Sequence, residues 1–143
     1  MANIVPDSFK TDLLGGVFDF DSSGGSSFKL ALYTSQAGFS TSTATYITTN
    51  EVSSAGTSYV TGGNALTNNG VAIASNIAYV DFADLTFTSV TLSATGALIY
   101  KASSNEAVLV LDFGGTKTAT NGDFVIQFPT ADSTSAIIRL GDA

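Results

Sequence analysis

Residues 96–128 read GALIYKASSNEAVLVLDFGGTKTATNGDFVIQF, and the fold is decided here. Three apolar runs, 97–100, 107–113 and 124–128, are separated by residues that favour turns. Short runs rich in Val, Ile, Leu, Tyr and Phe, bounded by Gly, Asn, Asp and Ser, read as strands. The connection 101–106 is short and polar and centres on Ser104-Asn105, which predicts an antiparallel hairpin between the first two runs. Asn121-Gly122 signals a second turn just before the third run. The central run is almost continuously apolar, as in a strand covered on both faces or lying in a sandwich core. Three such strands form a meander, and the rest of the chain must supply a second sheet to cover it.

Outward from this stretch, residues 85–92 (LTFTSVTL) alternate cleanly at Leu85 and Phe87, then shift phase at Ser89-Val90, as at a β-bulge. Residues 71–74 and 77–82 read as two strands around Ser75-Asn76. Residues 28–34 (FKLALYT) form a strand with Phe28, Leu30 and Leu32 on one face and Lys29, Ala31 and Tyr33 on the other. A last strand lies within 135–140, with Ile138 and Leu140 on one face. Near the N-terminus, Phe9, Leu13 and Val17 recur at helical spacing. Asp7 or Ser8 is placed to cap that helix, and Gly15-Gly16 to stop it. Residues 17–21 alternate apolar and acidic side chains and suit a short extended piece. Residues 35–58 form a long Ser/Thr-rich loop anchored by Phe39, Tyr46, Ile47 and Val52, with one edge strand near Tyr46. Loops of this length in a compact domain are functional or packed against something.

The expected architecture is therefore all-β: a β-sandwich or jelly-roll-like fold of roughly eight to ten short strands with one short N-terminal helix. Residues 1–143 are expected to form one domain, with residues 1–6 as a short arm. A chain of this length buries roughly 68% of its unfolded surface and needs no covalent staple.

Chemistry is bounded by what the sequence omits. It has no Cys, His or Trp. That removes disulfides, Ser-His-Asp and Cys-His nucleophile systems, and zinc or haem sites built on His. Twelve acids against five bases give a net charge of −7. The bases Lys10, Lys29, Lys101, Lys117 and Arg139 are scattered, whereas nucleic-acid binding needs clustered cations. The same scatter argues against an anionic membrane surface, and no apolar run approaches the ~20 residues of a spanning helix. A secretory leader is not expected, because residues 1–10 lack a charged segment followed by an apolar one.

Three patterns invite a site. Residues 19–24 (DFDSSG) match the first half of a calcium loop, but its twelfth position falls on Leu30 inside a strand, so a solvated turn is the better reading. Asp81 and Asp84 could pair as glycosidase carboxylates, yet an Asx-turn closing a hairpin explains them more simply. Residues 114–118 (GGTKT) lack the full phosphate-loop spacing and no helix follows them. No catalytic, cofactor-binding or metal-ligating residue is assigned. The aromatic residues, Phe above all, sit at alternating strand positions and read as core. Tyr33, Tyr46, Tyr59 and Tyr79 are the ones whose exposure could make a sugar platform.

Two blocks carry a resemblance. The first is DSFKTDLLGGVFDFD with SFKLALYTS, residues 7–21 and 27–35. The second is GALIYKASSNEAVLVLDFGGTKTATNGDFVIQFPTADSTSAIIRL, residues 96–140. Together they resemble the small virion structural proteins of tailed phages, in particular the capsid cement, or decoration, proteins. The resemblance covers most of the chain outside residues 36–76 and carries no catalytic motif. It implies a non-enzymatic β-sandwich module, without cofactor, that binds the major capsid protein lattice on the virion surface as a homotrimer. The arm and the long loop are then the expected contacts: Ile4, Val5, Phe9, Phe39, Tyr46 and Tyr59. The alternative is a receptor- or glycan-binding module of a head or tail fibre.

Overall fold

In residues that alternate between apolar and polar, a strand buries one face; in residues 97–100 and 107–111 nearly every position is apolar, so both faces need cover. The computed structural model describes residues 2–141 and resolves this demand as an all-β sandwich with one short helix. Helix α1 spans Asp7–Leu14, followed by strands β1 Phe28–Tyr33, β2 Asn64–Ala65, β3 Asn68–Ala74, β4 Ile77–Phe82, β5 Leu85–Lys101, β6 Ala107–Ile126 and β7 Ile138–Leu140. One antiparallel sheet has the order β2-β1-β5-β6 and the other β3-β4-β7. Among the described residues no helix is long and apolar enough to cross a membrane.

The expected meander is in fact one long hairpin. β5 runs unbroken over 17 residues and β6 over 20. The hairpin turn at 102–105 lies where the sequence placed it, closed by Lys101 N–H donating to Glu106 O at 2.9 Å. Asn121-Gly122, by contrast, does not reverse the chain. Within the two strands, each left-handed residue falls at a slip in register, while Asn105 (φ 73°) serves the turn. Ser89 (φ 54°) lies between the pairs Phe87–Phe124 and Val90–Gly122, and Asn121 (φ 45°) lies between Val90–Gly122 and Leu92–Ala119. Gly114 and Gly115 fall where residues 113–116 of β6 face Thr95 alone. A left-handed residue serves a bulge as well as a turn, and bulges increase the twist of a long ladder. Among the described residues the count of strands therefore falls to seven.

The two faces of the larger sheet separate as the alternation of β1 requires. Phe28, Leu30 and Leu32 join Ala97, Ile99, Val108, Leu111, Phe87 and Val90 in the main core between the sheets, where Val80 and Phe82 of β4 meet them. Ala31 and Tyr33 join Leu98, Tyr100, Ala107 and Val110 on the opposite face. A chain of rings ties the helix to both sheets: Phe9 to Phe18 at 5.1 Å, Phe20 stacked on Phe28 at 4.8 Å, and Phe28 edge-on to Phe82 at 5.7 Å. Such pairs contribute about 0.5–1.5 kcal/mol beyond their area. Residues 17–21 bury Phe18 and Phe20 and expose Asp19 and Asp21, keeping the alternation without joining either sheet. The N-cap of α1 is Pro6, with no side-chain cap, rather than Asp7 or Ser8. The strap that follows β1 explains this: Thr41 O accepts from Asp7 N–H at 2.8 Å, and Thr43 O accepts the Ser8 hydroxyl.

Gly96 shows how tightly the second face is closed. It stands in β5 opposite Tyr33 and Asp112. A Cβ there would run into the Gln36 amide and the Leu111 carbonyl, which are hydrogen-bonded to each other. Gly96→Ala is expected to lower stability by about 3 kcal/mol, read as a shift of the urea midpoint with little change in slope.

Candidate functional site

The long segment 34–63 is the natural place to look for function, and its structure is a strap. It contains no strand and touches the sheet through isolated bridges, Thr45 to Glu106 and Tyr33 to Glu51. Its apolar residues Phe39, Tyr46 and Ile47 cover the second face of the larger sheet. Phe39 meets Tyr33 edge-on at 4.7 Å, and Tyr46 stacks on Tyr100 at 4.6 Å. The backbone is pinned where Val52 N–H donates to Leu32 O at 2.9 Å.

Glu51 is the knot in this strap. Its Oε1 accepts from the Tyr59 hydroxyl at 2.8 Å and from Gly62 N–H at 2.6 Å, while Oε2 accepts from the Tyr46 hydroxyl at 2.6 Å. Tyr59 Oη accepts in turn from Leu32 N–H at 3.0 Å inside β1, and the Tyr100 hydroxyl donates to Gly62 O at 2.6 Å. The Tyr33 hydroxyl donates to Ile47 O. One carboxylate thus takes three donors and fastens the middle of the strap to its C-terminal end. Burial, with the Glu51 charge behind it, raises the hydroxyls of Tyr33 and Tyr46 well above the usual phenol value and shifts that of Tyr100 upward too. Burial is also the main cause for Tyr59. Phenols held neutral are donors, so the cluster acts as a clamp rather than an acid–base pair. Glu51 was not singled out from the sequence. The signal was there: it is the only charged residue in 35–58.

The other patterns resolve into local structure. Asp19 Oδ1 accepts from Asp21 N–H, and Asp21 Oδ1 from Ser23 N–H, two successive Asx-turns. Among the described residues no three Asp, Glu, His or Cys side chains come together as a metal site. Asp81 and Asp84 do not close a hairpin, because β4 and β5 lie in different sheets. Asp84 instead accepts from Phe128 N–H at 2.8 Å, and Asp81 from the Asn69 amide at 2.7 Å. Residues 114–118 lie inside β6.

Of the six residues expected at an interface, Phe9, Phe39 and Tyr59 put their rings inside this chain's own core, and Tyr46, within the strap, is half-buried against Tyr100. Ile4 is half-buried in a two-bond bridge with Val110. Val5 is exposed. The large apolar side chains that do face outward are others, among them Leu14 (82% exposed), Ile73 (73%), Val71 and Leu140. Leu14, Val5 and Leu140 line one groove of about 560 Å3 between α1 and β7. A second hollow, about 500 Å3, runs along β6, with Phe113 beside Asn3, Lys117, Asp123 and Gln127. Comparison of the chain with protein-family models, with curated proteins and with solved structures finds no match.

Two outcomes test the clamp. Tyr59→Phe leaves the buried Leu32 N–H without its acceptor and is expected to cost about 1–3 kcal/mol, measured by thermal or urea unfolding. The tyrosines also set an alkaline limit. Their hydroxyls ionise near 10.0 when unfolded and higher when folded. The unfolded chain therefore releases protons first, so stability is full below pH 10 and falls as pH rises above it. With Tyr79, the one tyrosine outside the clamp, replaced by Phe, tyrosinate absorbance should appear together with loss of β-sheet circular dichroism; tyrosinate forming while the sheet stays intact would contradict the clamp.

Proposed function

We propose that this chain is a non-enzymatic structural protein of a phage virion, a capsid cement or decoration protein that binds the assembled major capsid protein lattice and stabilises the head. In this reading it sits on the capsid surface as a homotrimer and needs no cofactor. The observation that carries the proposal is the exposed apolar surface built by α1, β3 and β7 on an acidic chain whose polar surface is mostly hydroxyl. Apolar patches rimmed by polar residues mark protein contacts. The resemblance of residues 7–35 and 96–140 to cement proteins names the partner. Bridging neighbouring capsomers with several standard-size interfaces would make disassembly require several simultaneous losses.

A second reading has its own observation. The hollow along β6 sets a half-buried Phe113 beside Asn3, Lys117, Asp123 and Gln127. An aromatic face flanked by amides and carboxylates suits a sugar, which supports a receptor- or glycan-binding module on a head or tail fibre.

One experiment separates the readings. In purified particles a cement protein is present in numbers comparable to the capsid subunits, and a fibre module at a small fraction of that. Particles lacking the chain are expected to assemble and then lose DNA on heating or osmotic shock. Unchanged particle stability without it would end the cement reading.

A further inference from the structure

The smaller sheet is wider than the core it covers. Cross-strand register places Val71, Val80 and Ile138 in one row and Ile73, Ala78 and Leu140 two residues on, so both rows point to the same face. The first row meets the core through Val80, which is buried, and Ile138. The second runs past it: Ile73 is 73% exposed and Leu140 58%. The core-facing side of β3-β4-β7 thus overhangs the larger sheet, and the β3–β4 hairpin projects as an apolar knob. β3 is an edge strand, and residues 70–80 carry no charge and no proline. Natural edges are usually blunted by such residues. Beside the knob lies the groove between α1 and β7, floored by Leu13, Leu14 and Leu140.

We propose that this is where copies of the chain meet: the β3–β4 hairpin of one copy seats in the α1–β7 groove of the next. Charge selects a second copy as the occupant. The groove's charged lining is Lys10 and Arg139, two of the five bases in the chain. Lys10 also holds Asp7, and Arg139 donates to Thr134 O, yet both remain at the exposed rim. The base of the knob is acidic, since Asp19 and Asp21 line the hollow that Val71 shares with Leu13. Each of these carboxylates spends Oδ1 on an Asx-turn. Docking knob into groove brings acidic base to basic rim, where two copies of net charge −7 would otherwise repel. Leu13 lines both hollows, so knob and groove lie side by side on one molecule. A head-to-tail contact between adjacent surfaces makes a sharp turn from copy to copy, which favours a small closed ring over a filament. The inference uses the same apolar surface as the cement reading but assigns it to contacts between copies of this chain, whether or not a capsid is present.

The test uses the isolated full chain at high micromolar concentration, with Ile73→Asp breaking the knob and Leu14→Asp breaking the groove. Both positions are exposed, so each variant should keep the wild-type circular dichroism. Sedimentation is expected to give a closed oligomer for the wild type and monomer for each variant. Mixing the variants should restore one intact knob–groove contact and yield heterodimers. A monomeric wild type, variants that stay oligomeric, or a mixture that forms no pairs would each overturn the proposal. A monomer that still binds capsids would do so while leaving the cement reading standing.

Discussion

The ladder between β5 and β6 imposes the constraint that the rest of the chain answers. Near the hairpin turn its residues are apolar on both faces, with Leu98, Ile99, Val108 and Val110 all fully buried. A half-solvated antiparallel sheet needs one cover, but this one needs two. One is the small sheet, brought over by the crossing from β4 to β5. The other is the strap, which lays Phe39, Tyr46 and Ile47 over the second face. An irregular segment lacks a ladder to satisfy its backbone. Here isolated backbone bonds to the sheet, together with a carboxylate and four phenols, stand in for the missing ladder.

That substitution explains why the chain can use so little charge. Glu51 is stabilised by hydroxyl and amide donors alone, so no cation has to be desolvated beside it. The tyrosines supply area to the second core and donors to the clamp at once. Their hydroxyls, which at a free surface could have served a ligand, are spent inside the fold.

What was legible in the sequence follows from how local each signal is. The alternation in FKLALY gave both faces of β1 correctly, and Ser75-Asn76 gave the β3–β4 turn, where both residues are left-handed. The bulge at Ser89-Val90 was also legible. Asn121-Gly122 was misread, because a left-handed residue looks the same in a turn and in a bulge until its partner strand is known. Of the expected contact residues, Phe39 and Tyr59 are large rings in or beside an irregular segment, which is what a strap needs to bury, and Phe9 is on the apolar face of the helix. Ile73 and Leu140 sit on faces that their own alternation assigns to a core. Only the mismatch in width between the two sheets leaves them outside, and no local pattern encodes that.

The strap has one further consequence. Between Val52, held to β1, and Tyr59, held to Glu51, residues 53–56 arch outward fully exposed. Both feet of this arch are anchored independently of what lies between them. Lengthening it costs only loop-closure entropy, about 0.6 kcal/mol per doubling. Foreign peptide spliced into the crest would ride on the outside of the molecule while the sandwich beneath went on folding around the same pair of covers.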